Sequence, residues 1–131
     1  MCRRWLLVAV ALSLVALPAC GGGGKSSSPP CPPKADTRAA VNGAVTVCAL
    51  DPVSYDVKTI TTPAGPLTVT LINKGSIPHT FKVDGTNFEL KTPSHNDVKT
   101  GTVTLTAGSH KFFCTTPGHE AAGMKGTIVV S

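Results

Sequence analysis

The chain has 131 residues, room for one domain, and only 15% of them are charged against 13 glycines and 11 prolines, the balance of a turn-rich globular protein. The formal net charge of +5 shrinks once a leader carrying Arg3 and Arg4 is set aside, leaving ten basic residues against seven acidic ones. From Cys48 onward seven lysines face six acids, which excludes a strongly basic nucleic-acid surface and partner choice through a large electrostatic field.

Arg3 and Arg4 precede an unbroken apolar run over residues 5–17, followed by Pro18, Ala19 and Cys20. This reads as an export signal over residues 1–19, too short to serve comfortably as a permanent span. Its end resembles a bacterial lipobox: Leu17, Ala19 and Cys20 match, and Pro18 stands where a small or polar residue is commoner. Cys20 would then be the lipid-modified first residue of the mature protein, and each buried methylene would contribute about 0.8 kcal/mol to holding it on a membrane. That places the domain on the outer face of the cytoplasmic membrane or in the periplasm, with cleavage and secretion as the alternative. The arginine pair is compatible with twin-arginine export and with an ordinary basic leader.

Residues 20–43 are rich in glycine, serine, proline and small polar types without an apolar period, and are expected to be a flexible tether spanning about 25 to 30 Å. Of the five cysteines, Cys2 leaves with the leader and Cys20 is the lipid acceptor. In an oxidising compartment Cys31 and Cys48 suit a disulfide contributing about 3 kcal/mol; two free thiols are the alternative and would compete for a metal.

A domain over residues 44–131 follows, built of short runs rich in Val, Thr, Ile and Leu and punctuated by Gly, Pro, Asn and Asp. Strands are expected over residues 45–50, 55–59, 67–73, 80–83, 88–91, 101–105, 108–114 and 125–130. Alternation is clearest at Leu67, Val69 and Leu71 and at Val103 and Leu105, and Asp84-Gly85 marks a tight turn. No stretch supports an amphipathic helix of three turns, so the fold class is all-β, a sandwich of about eight strands.

The chemistry gathers at the end of the chain. Cys114, His119 and Met124 share one loop, four residues between each pair, while His79 stands upstream after an alternating strand. A thiolate, two imidazoles and a longer-range thioether form the ligand set of a type 1 (blue) copper site: the thiolate suits Cu(I), imidazoles suit both oxidation states, and the thioether binds weakly. Met124 is the sole methionine after Met1, which sets it apart from a core-filling residue that Leu could replace. Phe112 and Phe113 end a strand at Cys114, and Pro117, Gly118, Ala121, Ala122 and Gly123 shape a compact loop back to the last strand. Zinc can take Cys and two His, but a lone thiolate with an axial Met suits a closed zinc site poorly. A Cys-His nucleophilic pair lacks an evident orienting residue. His95 and His110 fall outside the pattern and read as surface residues.

The stretches "LINKGSIPHTFKVDG" and "KFFCTTPGHEAAGMKGTIVV" resemble the cupredoxins, the plastocyanin and azurin family, over residues 45–130. The resemblance implies a Greek-key β-sandwich or barrel holding one copper ion, with His79, Cys114 and His119 as strong ligands and Met124 axial. The ligand-loop spacing is similar to auracyanin and rusticyanin rather than to plastocyanin. Thr80 departs from the Asn many relatives carry after the first histidine, so a less complete link between the two ligand loops is expected. The resemblance also implies that His119 reaches a surface of small and apolar residues (Ile77, Pro78, Pro117, Gly118, Ala121, Ala122, Gly123) where transient redox proteins dock. Lys111, Lys125 and Glu120 read as solvated charges.

The expectation is thus a monomeric, membrane-tethered carrier of single electrons and not an enzyme, with protein redox partners, a lipid-anchored N-terminus and no nucleic acid. A copper-binding or delivery protein is the alternative, and a small copper oxidoreductase a third reading that one domain disfavours.

Overall fold

The structure, a computed structural model, describes residues 28–131; the export signal over residues 1–19, the lipid acceptor Cys20 and the start of the tether lie outside the described residues. Two sheets face each other. Their strands are β1 (Ala35–Ala39), β2 (Ala44–Leu50), β3 (Ser54–Tyr55), β4 (Val57–Thr62), β5 (Gly65–Asn73), β6 (His79–Val83), β7 (Glu89–Thr92), β8 (Val98–Leu105), β9 (Gly108–Phe113) and β10 (Lys125–Val130). One sheet runs β1-β4-β10-β9-β6-β7 and the other β3-β2-β5-β8. The all-β sandwich expected from the alternation is what forms.

Several strands start earlier than expected, β5 at Gly65 and β8 at Val98 among them, and two differences change the plan of the domain. The single strand expected over residues 55–59 is divided, because Asp56 turns inward and its carboxylate accepts the Cys48 N–H at 2.8 Å. Tyr55 therefore pairs with Ala49 in one sheet while Val57 pairs with Ala35 in the other, and the chain changes sheets at Asp56. The second difference concerns the tether: its last part belongs to the domain. Residues 35–39 form β1, parallel to β4, and Asn42 and Gly43 adopt positive φ to turn the chain into β2. Lacking an apolar period, this edge strand is held instead by its ladder and by Arg38. The guanidinium donates to the carbonyls of Thr46 (2.7 Å) and Pro33 (2.8 Å) and lies 3.0 Å from the Asp56 carboxylate. Upstream of β1, Cys31 is joined by a disulfide to Cys48 of β2.

Between the sheets lie Val47, Ile60, Leu67, Val69, Leu71, Phe81, Val83, Phe112 and Ile128, all without solvent exposure. Phe81 and Phe112 stack with centroids 4.7 Å apart, and Tyr55 meets both rings at 5.8 and 5.4 Å. Gly126 faces Phe112 across the β9/β10 ladder, where a Cβ would collide with that ring and with the Lys58 carbonyl. On the outer face, Thr68 pairs with Thr102 and Thr70 with Thr100 through their hydroxyls, which gives β5 its polar alternate positions. Among the described residues no helix is long and apolar enough to cross a membrane.

Candidate metal centre

Three strand ends converge at one pole of the sandwich. His79 opens β6, Cys114 immediately follows β9, and Met124 immediately precedes β10. Antiparallel pairing of β6 with β9 (Lys82 with Phe113) and of β9 with β10 (Phe113 with Lys125) fixes these ends side by side. The Cys114 N–H donates to the Met124 carbonyl at 3.0 Å, and the Met124 N–H to the His119 carbonyl at 3.0 Å. Between them the loop is wound by Ala122 N–H to Gly118 O and Gly123 N–H to Glu120 O, both 3.0 Å. Gly118 and Gly123 sit at φ +82° and +104°, backbone states that side chains with a Cβ resist.

One ligand atom each from His79, Cys114 and His119 falls within 4.8 Å of the others. The Cys114 sulfur is 3.5 Å from His119 Nδ1, and the two imidazole rings are 5.1 Å apart. His79, Cys114 and Met124 are buried and His119 half-buried. Both nitrogens of His79 lack any hydrogen-bond partner although the side chain is fully enclosed. Each such orphaned atom costs about 1–3 kcal/mol, and a metal ion bound at one of the two nitrogens would remove that atom's share. Burial, and then the neighbouring His119, hold His79 below the usual imidazole pKa of 6.5, against a smaller opposing pull from Asp51. The imidazole thus stays neutral, the state that offers a lone pair. A thiolate and two imidazoles with no carboxylate in the cluster, and Met124 buried and bonded through its backbone to Cys114 and His119, suit copper better than a closed zinc site.

The surrounding contacts are mostly ones that sequence reasoning did not find. Asn73, fully buried, donates from Nδ2 to the carbonyls of Ile77 (2.9 Å) and Thr92 (3.0 Å) and accepts the Gly75 N–H, which pins the loop leading into His79. Gly75 itself fills a tight gap, since a Cβ there would lie 2.7 Å from Asp51 Oδ1 and 2.9 Å from His79 Nε2. The "NKG" after an alternating strand was the available signal for both. The Tyr55 hydroxyl donates to the Thr80 carbonyl. Burial, first, and Cys114, second, raise the Tyr55 pKa, which keeps that donor protonated.

Thr80 links the ligand loops more fully than its departure from Asn suggested. Its N–H reaches the Cys114 sulfur at 3.3 Å, and its hydroxyl accepts the Thr115 N–H at 2.7 Å. A hydroxyl on a β-branched residue performs the bridging for which many relatives use the amide of Asn. His95 and His110 stay outside the cluster, bonded to the carbonyls of Gly75 and Thr106. Ile77, Pro78, Pro117, Gly118, Ala121, Ala122 and Gly123 are all exposed around His119. Lys111 and Glu120 keep their side chains in contact with solvent, as expected, and they pair at 2.8 Å across the ligand loop.

Comparison with known proteins agrees with this architecture. Dithionite-reduced auracyanin from the photosynthetic bacterium Roseiflexus castenholzii superposes with a TM-score of 0.63 at 22% identity, over 70% of this chain and 99% of that one, a likeness of fold. Reduced rusticyanin gives 0.61 at 29% identity, over 73% and 85% of the two chains. Rusticyanin from Thiobacillus ferrooxidans gives 0.62 at 26%, over 74% and 83%. No curated protein sequence matches the chain. The profile of the Cupredoxin-like domain matches residues 30–130, a range that includes β1, and with the sandwich and its His-Cys-His pole it establishes that this chain belongs to the cupredoxin-like family.

Proposed function

We propose that the protein is a type 1 copper electron carrier, in which His79, Cys114 and His119 would be the strong ligands and Met124 a weak one. The observation that carries this reading is the partnerless, enclosed His79 imidazole directed with Cys114 and His119 at one point. Copper bound there supplies a one-electron change between Cu(I) and Cu(II). The chain's own contribution is rigidity: ladders, the Asn73 bonds and the Thr80 bridge hold the donor atoms against movement, which keeps reorganisation small. His119, half-buried amid small exposed residues, is the route by which an electron enters or leaves, and a transient partner would dock on that apolar rim. One solved rusticyanin relative is described as a copper protein, which supports the same reading.

Enclosure of three of the four side chains favours retention of the ion, hence a carrier over a delivery protein and over an enzyme acting on its own substrate. We further propose export and attachment through Cys20. The described chain reaches the domain at the metal pole, where the Ser28 hydroxyl bonds Asn96 and Cys31 is tied to Cys48. From Cys20 to Ser28 the chain reaches at most about 26–29 Å, so an anchored domain would keep that pole near the membrane.

The test is the visible and EPR spectrum after loading with Cu(II). An intense thiolate-to-copper band with narrow hyperfine splitting is expected, and its absence from wild-type protein would overturn the assignment. Retention of the metal through repeated oxidation and reduction separates carrier from donor.

A further inference from the structure

The outer carboxylate of β7 connects to the ligand sulfur through two hydroxyls. Glu89 Oε1 is 2.6 Å from Thr115 Oγ1, which is 2.9 Å from Thr80 Oγ1, which is 3.7 Å from Cys114 Sγ. The direction of every proton along this line follows from donor capacity. The Thr115 hydroxyl lowers the Glu89 pKa first, with smaller help from Lys91 and Lys82, so the carboxylate is ionised and can only accept. Its other oxygen faces the Lys91 ammonium at 3.3 Å. Thr115 must therefore spend its single proton on Glu89. The lone pairs of Thr115 Oγ1 then face Thr80, whose own proton points to Thr115 and away from the sulfur. The Thr80 N–H is left as the donor to Cys114.

We propose that Glu89 is a positioning residue for the Cys114 sulfur: through Thr115 it turns the Thr80 hydroxyl away and limits the number of hydrogen bonds that the thiolate receives. This rests on the copper reading above and deepens it. Donors at the sulfur draw charge from the thiolate and favour the reduced state, so a relay that withholds one lowers the reduction potential. Without the Glu89 acceptor, Thr115 can donate to Thr80 and Thr80 to the sulfur.

The test is a double-mutant cycle on the copper-loaded protein, reading reduction potential and the energy of the blue band. Glu89→Gln removes the charge and keeps a carbonyl acceptor; Glu89→Ala removes both. The potential is expected to rise more in Glu89→Ala than in Glu89→Gln. Thr115→Val, which frees the Thr80 hydroxyl directly, should raise it too, and in that background the two Glu89 variants should become equal. In metal-free protein the Thr80 and Thr115 amide shifts should respond to Glu89→Ala and hardly to Glu89→Gln. Equal potentials for the two Glu89 variants in the parent chain would overturn the proposal, because water at exposed Thr115 would then replace the carboxylate. A difference that persists with Thr115→Val would overturn it as well, leaving a bare field effect. A chain that gave no blue band yet showed the amide pattern would overturn the copper reading and uphold the relay.

Discussion

Phe81 and Phe112 stack 4.7 Å apart with ring planes within 18°, two residues after His79 and two residues before Cys114. In a strand the side chain two positions away lies on the same face, so each ring stands directly behind a ligand. The stack is the floor of the metal centre, and Tyr55 braces it from the side.

Phe112→Ala should therefore cost about 3–5 kcal/mol of stability, the range for an enclosed aromatic truncated in a packed core. Urea unfolding of the metal-free protein measures it. Met124→Leu, also enclosed but close in volume, should cost under about 1.5 kcal/mol while raising the potential and keeping the blue band. Cys114→Ser should abolish the band. An unchanged spectrum and potential in Met124→Leu would remove Met124 from the axial position.

Gly75→Ala places a methyl 2.7 Å from Asp51 Oδ1 and 2.9 Å from His79 Nε2. One of these groups must move. A displaced imidazole should weaken copper binding by about 10- to 100-fold, the usual scale for groups that orient a ligand. Competition with a Cu(I) chelator reads this, and wild-type affinity would mean that Asp51, which is exposed, yields instead.

Metal-free protein should lose stability on mild acidification. The His79 pKa is lowered in the folded state, so the unfolded chain takes up a proton first. Its contribution is complete above pH 6.5 and is lost as pH falls from there toward the depressed folded value. Thermal midpoints between pH 7.5 and 5 should decline for the parent chain, and the decline should shrink in His79→Phe.

Arg38→Met should destabilise by about 3 kcal/mol, because it strands the Asp56 carboxylate, only 2% exposed, without its cation. Burial already raises the Asp56 pKa against the opposing pull of Cys48 N–H and Arg38. Replacing Asp56 by Asn in the same chain should recover part of the loss. Breaking the Cys31–Cys48 link should cost a similar amount, about 3 kcal/mol, with the spectrum of the copper centre retained.

The sequence alone determined the donor types and most of the strands. Leu67, Val69 and Leu71 alternate, Phe112 and Phe113 lead into Cys114, and glycines flank His119, all features set by neighbours a few residues apart. It was silent on β1, because an edge strand anchored by Arg38 to Asp56 needs no apolar period. Tertiary structure decided what crosses between elements: His79 beside a sulfur 35 residues away, Gly75 in the gap behind that imidazole, and the line from Glu89 through Thr115 to Thr80. Those contacts depend on the register of β6 against β7 and β9, and register comes from packing both faces of the sandwich at once, information no local pattern carries.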